Sequence, residues 1–104
     1  MTVFAVTRGA GPKWAEDKGT FDQPGANEHG AFMSGLAAAG VVVFAGPLDH
    51  GDQGRLRVLV IAQADSEADL RQCLADDPWE RSRQLVTVNV ERWTLLVGGE
   101  SLPM

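Results

Sequence analysis

Apolar residues along this chain follow two periods. Val3-Phe4-Ala5-Val6-Thr7, Val41-Val42-Val43-Phe44-Ala45, Leu56-Arg57-Val58-Leu59-Val60-Ile61-Ala62 and the stretch from Leu85 to Trp93 are short runs rich in β-branched residues. Each is bounded by glycine, proline or polar turn formers, which is the mark of strands. Between the first and second runs, His29, Phe32, Met33 and Leu36 stand at i, i+3, i+4 and i+7, one face of a helix. Asn27 is the expected N-cap of that helix, which should run to about Ala39 with Gly40 just past its end. Between the third and fourth runs, Leu70, Cys73 and Leu74 repeat the helical spacing behind a cap at Ser66-Glu67-Ala68-Asp69. The order is therefore βαββαβ, an α+β arrangement with a split βαβ topology.

Two polar residues interrupt the apolar stripes. His29 sits on the first helix's buried face, and Asp77 is the next member of the second stripe, directly before Pro78, which the helix should not pass. In a βαββαβ fold with right-handed crossovers, the start of the first helix and the end of the second meet at one end of the sheet. His29, Asp77, Arg8 at the end of the first strand, Trp14, Gly46-Pro47 and Trp79 should gather there. An Asp bound to one ring nitrogen fixes the histidine tautomer and leaves the other nitrogen to move a proton. The same pair could equally serve as a satisfied buried contact that ties two helix ends together.

The connection over residues 9–26 is long and without period, punctuated by Gly11, Pro12, Gly19, Pro24 and Gly25. Such loops often carry function, although Trp14 within it would also suit a plug over the core. Residues 48–54 are turn-rich and should link the second and third strands as a hairpin. A metal site of His50 with Asp49 and Asp52 lacks a ligand-spacing motif, and no metal is expected. Ser34 has no neighbouring base, Cys73 reads as an inert core residue, and Gly9, Gly11 and Gly19 fit no nucleotide-binding fingerprint.

Composition narrows the function. The 104 residues suit one domain, and a formal net charge of −5 argues against nucleic acid as a partner. No apolar stretch is long enough for a membrane span, and the first residues lack a signal peptide's charged segment, so a cytoplasmic location without membrane partners is expected. Cys73 is the only cysteine, which excludes an intrachain disulfide.

Arg8, Pro12-Lys13-Trp14, Glu28-His29 with Phe32-Met33 and Leu36, Gly40, Gly46-Pro47-Leu48, Asp76-Asp77-Pro78-Trp79 and Trp93 together resemble the YciI-like (YCII-related) protein family, over nearly the whole chain. The resemblance implies a YCII-related α+β domain over residues 1–97, with 98–104 a frayed tail. It implies a ferredoxin-like fold that dimerises sheet to sheet as a dimeric α/β barrel. His29 and Asp77 would be the family's His–Asp dyad. Arg8 could then hold an anionic group of a substrate, with Trp14, Gly46, Pro47 and Trp79 around it. Relatives by fold dehydrochlorinate, isomerise or oxygenate small cyclic molecules without a cofactor, so the expectation is a cofactor-free lyase or isomerase acting on a small cyclic or carbonyl compound. A non-catalytic ligand-binding or regulatory module is the other reading, since relatives also occur beside transcription sigma factors. A homodimer has independent support: the runs 41–45 and 56–62 are apolar on both faces, while helices can cover only one.

Overall fold

A computed structural model describes residues 1–49 and 55–99. The elements are strand β1 (Thr2–Ala10), a 3₁₀ turn (Thr20–Asp22), helix α1 (Ala26–Ala38), strands β2 (Val42–Pro47) and β3 (Arg57–Ala64), helices α2 (Glu67–Ala75) and α3 (Pro78–Arg81), and strand β4 (Leu85–Arg92). All neighbouring strands pair antiparallel in the order β2-β3-β1-β4. This is the α+β, ferredoxin-like arrangement expected from the sequence. The middle of the 48–54 hairpin, with the suggested His50–Asp52 site, and the end of the tail lie outside the described residues.

Strand alternation divides the sheet's two faces. Phe4, Val6, Val42, Val60, Ala62 and Val90 form the core with Leu70 and Leu74 of α2, and Met33 and Leu36 of α1 pack against it. Arg8 shares this side, because its guanidinium meets Met33 and Asp77. The other face carries Ala5, Leu59 and Ile61 beneath Trp93, with Phe44 59% and Val88 63% exposed.

Several boundaries differ from the sequence reading. Helix α1 starts at Ala26 behind Gly25, whose φ of 78° is left-handed, instead of being capped by Asn27. The His29 N–H then donates to the Gly25 carbonyl at 2.9 Å, so the turn that begins the helix also fixes His29. At the other end Gly40 (φ 81°) closes a Schellman motif, with Gly40 N–H donating to Ala37 and Val41 N–H to Leu36. Gly46-Pro47 does not stop β2 but completes it. This is tolerated because β2 is an edge strand, where proline's missing donor costs no ladder bond.

Asp77 is not the last residue of α2. That helix ends at Ala75, and Asp77 caps α3, its Oδ1 accepting the Trp79 N–H at 3.0 Å with Pro78 in the first helical position. Proline cannot extend α2 but is preorganised to begin a new helix, so one residue both ends the old element and starts the next. The long loop returns to this point. Gly11 N–H donates to Gln84 O and Lys13 N–H to Arg83 O, while buried Gln23 bonds Ala15 and Lys18 within the loop.

Candidate functional site

The site is assembled where α1 begins and α3 is capped. His29 Nδ1 lies 2.9 Å from both Asp77 oxygens. Asp77 is fully buried and accepts from three donors: His29, the Trp79 N–H, and Arg8 Nη2 at 2.9 Å. Burial alone would raise the Asp77 carboxyl, but the hydrogen bonds from His29 and Trp79 and the Arg8 charge outweigh it and hold the pKa below the ordinary carboxylate value. A carboxylate thus faces Nδ1, which makes Nδ1–H the donor and leaves Nε2 unprotonated in the neutral ring.

His29 also stacks on Trp79, ring centroids 3.9 Å apart with 8° between planes. The indole is itself fixed, donating from Nε1 to Pro24 O at 2.9 Å. Gln84 donates to the same carbonyl at 2.8 Å, so the loop end and α3 are tied together behind the imidazole. Trp79, in the cavity wall, sets the ring plane, and Asp77, which does not line the cavity, sets the tautomer.

The cavity has a volume of about 360 Å³, within the roughly 300–1,000 Å³ range of small-molecule sites. His29, Arg8, Trp79, Gly46 and Pro47 all belong to its wall, together with Phe21, Met33, Val58 and Leu85. Trp14 does not. It stands edge-on to Trp79, centroids 5.4 Å apart, and lines a neighbouring, more polar depression with Lys18 and Arg55. It supports the wall from behind.

Arg8 is 1% exposed and reaches two carboxylates through Nη2, Asp77 at 2.9 Å and Glu80 Oε2 at 2.7 Å. Thr87 donates its hydroxyl to the same Glu80 oxygen at 3.0 Å. The hydrophobic pattern of the sequence does not single out Glu80 or Thr87. A signal for Glu80 existed, since Asp77-Pro78-Trp79-Glu80 has the spacing of a capping box. Thr87 follows only from the register that sets it opposite Arg8. Among the described residues no group of three His, Cys, Asp or Glu could hold a metal ion, and no helix is long and apolar enough to cross a membrane.

A small α+β domain with a histidine–carboxylate pair in an apolar cavity is the class these features define. The model of the YCII-related domain matches residues 10–94, and the chain belongs to that family. No curated protein matches it. Among solved structures it is similar to 5-chloro-2-hydroxyhydroquinone dehydrochlorinase from Burkholderia phenoliruptrix AC1100, in complex with 2,5-dihydroxybenzoquinone. That match has a TM-score of 0.63 at 21% identity and covers 88% of this chain and 93% of the other.

Proposed function

We propose that this protein is a cofactor-independent lyase or isomerase in which His29 moves a proton on a small cyclic or carbonyl compound. The observation that carries this reading is the placement of His29 in the cavity wall with Nδ1 turned to the Asp77 carboxylate. His29 Nε2 takes a proton from a carbon or hydroxyl of the substrate, and the resulting imidazolium keeps its Nδ1–H on Asp77. In an isomerisation the proton returns at another carbon. In an elimination the released electron pair forms the new double bond as the leaving group departs with its own pair. The dehydrochlorinase of similar fold supports the choice of chlorinated and hydroxylated rings as first substrates.

The functional unit is proposed to be a homodimer joined through the uncovered sheet face, supported by the exposure of Phe44 and Val88 beside Leu59, Ile61 and Trp93.

The test is turnover of two probes: chloride release from 5-chloro-2-hydroxyhydroquinone and conversion of 3-cyclohexenone to 2-cyclohexenone. Wild-type protein is expected to accelerate at least one, and His29→Ala to lose the effect by roughly 10²-fold or more. Retained turnover in a folded His29→Ala protein would refute the acid–base role. The alternative, a ligand-binding module in which the pair only braces α1 against α3, is favoured by the three donors on Asp77. It predicts no turnover and a lower melting temperature for the same variant.

A further inference from the structure

We infer that Arg8 anchors an uncharged acceptor oxygen of the ligand, a carbonyl or an undissociated hydroxyl, and that the cavity selects against carboxylates and other anions. This rests on the reading of the cavity as the ligand site and specifies what the site takes.

The first observation is an unspent donor. A guanidinium carries five N–H bonds. Nη2 directs its two at Asp77 and Glu80, and Nη1 meets only the weak acceptor Met33 Sδ at 3.7 Å. Nε finds no acceptor among the described residues, although Arg8 is 1% exposed and part of the cavity wall. A buried donor left without an acceptor is costly, and although Thr20 and His29 also line the wall, neither hydrogen-bonds Nε, while Phe21, Ala45, Pro47, Val58 and Leu85 carry no side-chain acceptor. A ligand oxygen is the group that would satisfy it.

The second observation is the charge balance, which decides what kind of oxygen. One guanidinium faces two carboxylates, Asp77 and Glu80, both in direct contact with it. With His29 neutral the four groups sum to one negative charge, and because Arg8 and Asp77 are buried and His29 and Glu80 only partly exposed, that charge is screened less than it would be in water. A carboxylate ligand would add a second negative charge and find its cation already doubly paired. A ketone or phenol oxygen takes the Arg8 N–H without adding charge. Arg8 therefore acts as a polarising hydrogen-bond donor, and Glu80 with Thr87 behind it is a positioning pair that sets the guanidinium and excludes anions. Arg8 and His29 are complementary handles on the wall: a donor at Arg8 for the oxygen, and an acceptor at His29 Nε2 for a proton on the same small molecule.

The experiment compares three ligands of similar shape by ¹H–¹⁵N NMR on the wild-type protein at neutral pH: acetophenone, α-methylstyrene, in which CH₂ replaces the oxygen, and benzoate. Acetophenone is expected to shift the Arg8 Nε–H resonance and the cavity residues. α-Methylstyrene should bind about tenfold weaker or worse without moving Arg8 Nε–H, in line with one hydrogen bond to a charged group, and benzoate should also bind more weakly than acetophenone. Glu80→Gln keeps an acceptor for Arg8 and Thr87 but removes a charge, so benzoate affinity should rise several-fold. Equal binding of acetophenone and α-methylstyrene, tighter binding of benzoate, absence of any cavity shift with acetophenone, or an unchanged benzoate affinity in Glu80→Gln would each overturn the inference. Because these measurements read binding and not turnover, a protein that held acetophenone on Arg8 yet transferred no proton through His29 would defeat the proposed function and leave this inference standing.

Discussion

The imidazole of His29 lies flat against the indole of Trp79, ring centroids 3.9 Å apart, while its Nδ1 is held 2.9 Å from Asp77. The two contacts come from consecutive features of one short helix, its capping carboxylate and its second residue. Position and tautomer of the histidine are thereby tied to a single turn that begins at Asp77-Pro78-Trp79. A change in that turn should register in chemistry and stability together.

Asp77→Asn separates the two effects. An amide NH₂ facing Nδ1 favours the tautomer protonated on Nε2, so turnover should fall by about 10²-fold or more with little change in ligand affinity. Asp77→Ala removes an acceptor shared by Arg8, His29 and the Trp79 N–H, and breaking such a buried charge pair costs on the order of 3–5 kcal/mol. Urea unfolding of both variants at pH 7 is the check, with the alanine variant the less stable.

Asp77 also sets an acid limit. Its folded-state pKa is depressed, so its contribution is fully present above the unfolded value, ~3.9, and is lost as pH falls from there through the lower folded-state value. The unfolding midpoint of the wild-type protein should drop more steeply below about pH 4 than that of Asp77→Asn. Parallel curves would remove Asp77 as a source of the acid sensitivity.

Gly11 holds the long loop to the site. A Cβ there would stand 2.4 Å from the Arg83 carbonyl oxygen, in backbone whose Arg83 itself has a left-handed φ of 65°. Gly11→Ala should cost roughly 1–3 kcal/mol through forced overpacking and should loosen Trp14 from Trp79. A melting curve together with Trp fluorescence measures both.

The proposed dimer through the sheet face opposite the helices, where Phe44 and Val88 are exposed, predicts association. Wild-type protein should run as a dimer by light scattering, and Val88→Lys or Phe44→Lys, which place charge on that face, should give monomers that keep their fold. A monomeric wild-type protein would remove the basis for the proposed interface.

Much of this was legible in the residues because local spacing and topology point the same way. The stripe His29, Phe32, Met33, Leu36 contains the most shielded positions of the central turns of α1, and the βαββαβ order brings His29 to Asp77 across 48 residues of chain. What escaped depends on partners distant in sequence. Nothing local to Asn27 reveals that Gly25 would start the helix against Trp79. Arg8 reads as a free cation until the β1–β4 register and the α3 turn bring Thr87 and Glu80 beside it. Trp14 falls behind the cavity wall because the loop's own hydrogen bonds, through Gln23, settle its path.

Proton abstraction by His29 is tested most directly by exchange of the α-hydrogens of cyclohexanone for deuterium in D₂O, followed by NMR with wild-type and His29→Ala protein at matched concentration. The account predicts exchange well above the buffer rate with wild-type protein, falling by about 10²-fold or more in a His29→Ala protein whose amide spectrum remains dispersed. Equal exchange by the two proteins, or none above buffer with the wild type, would contradict it.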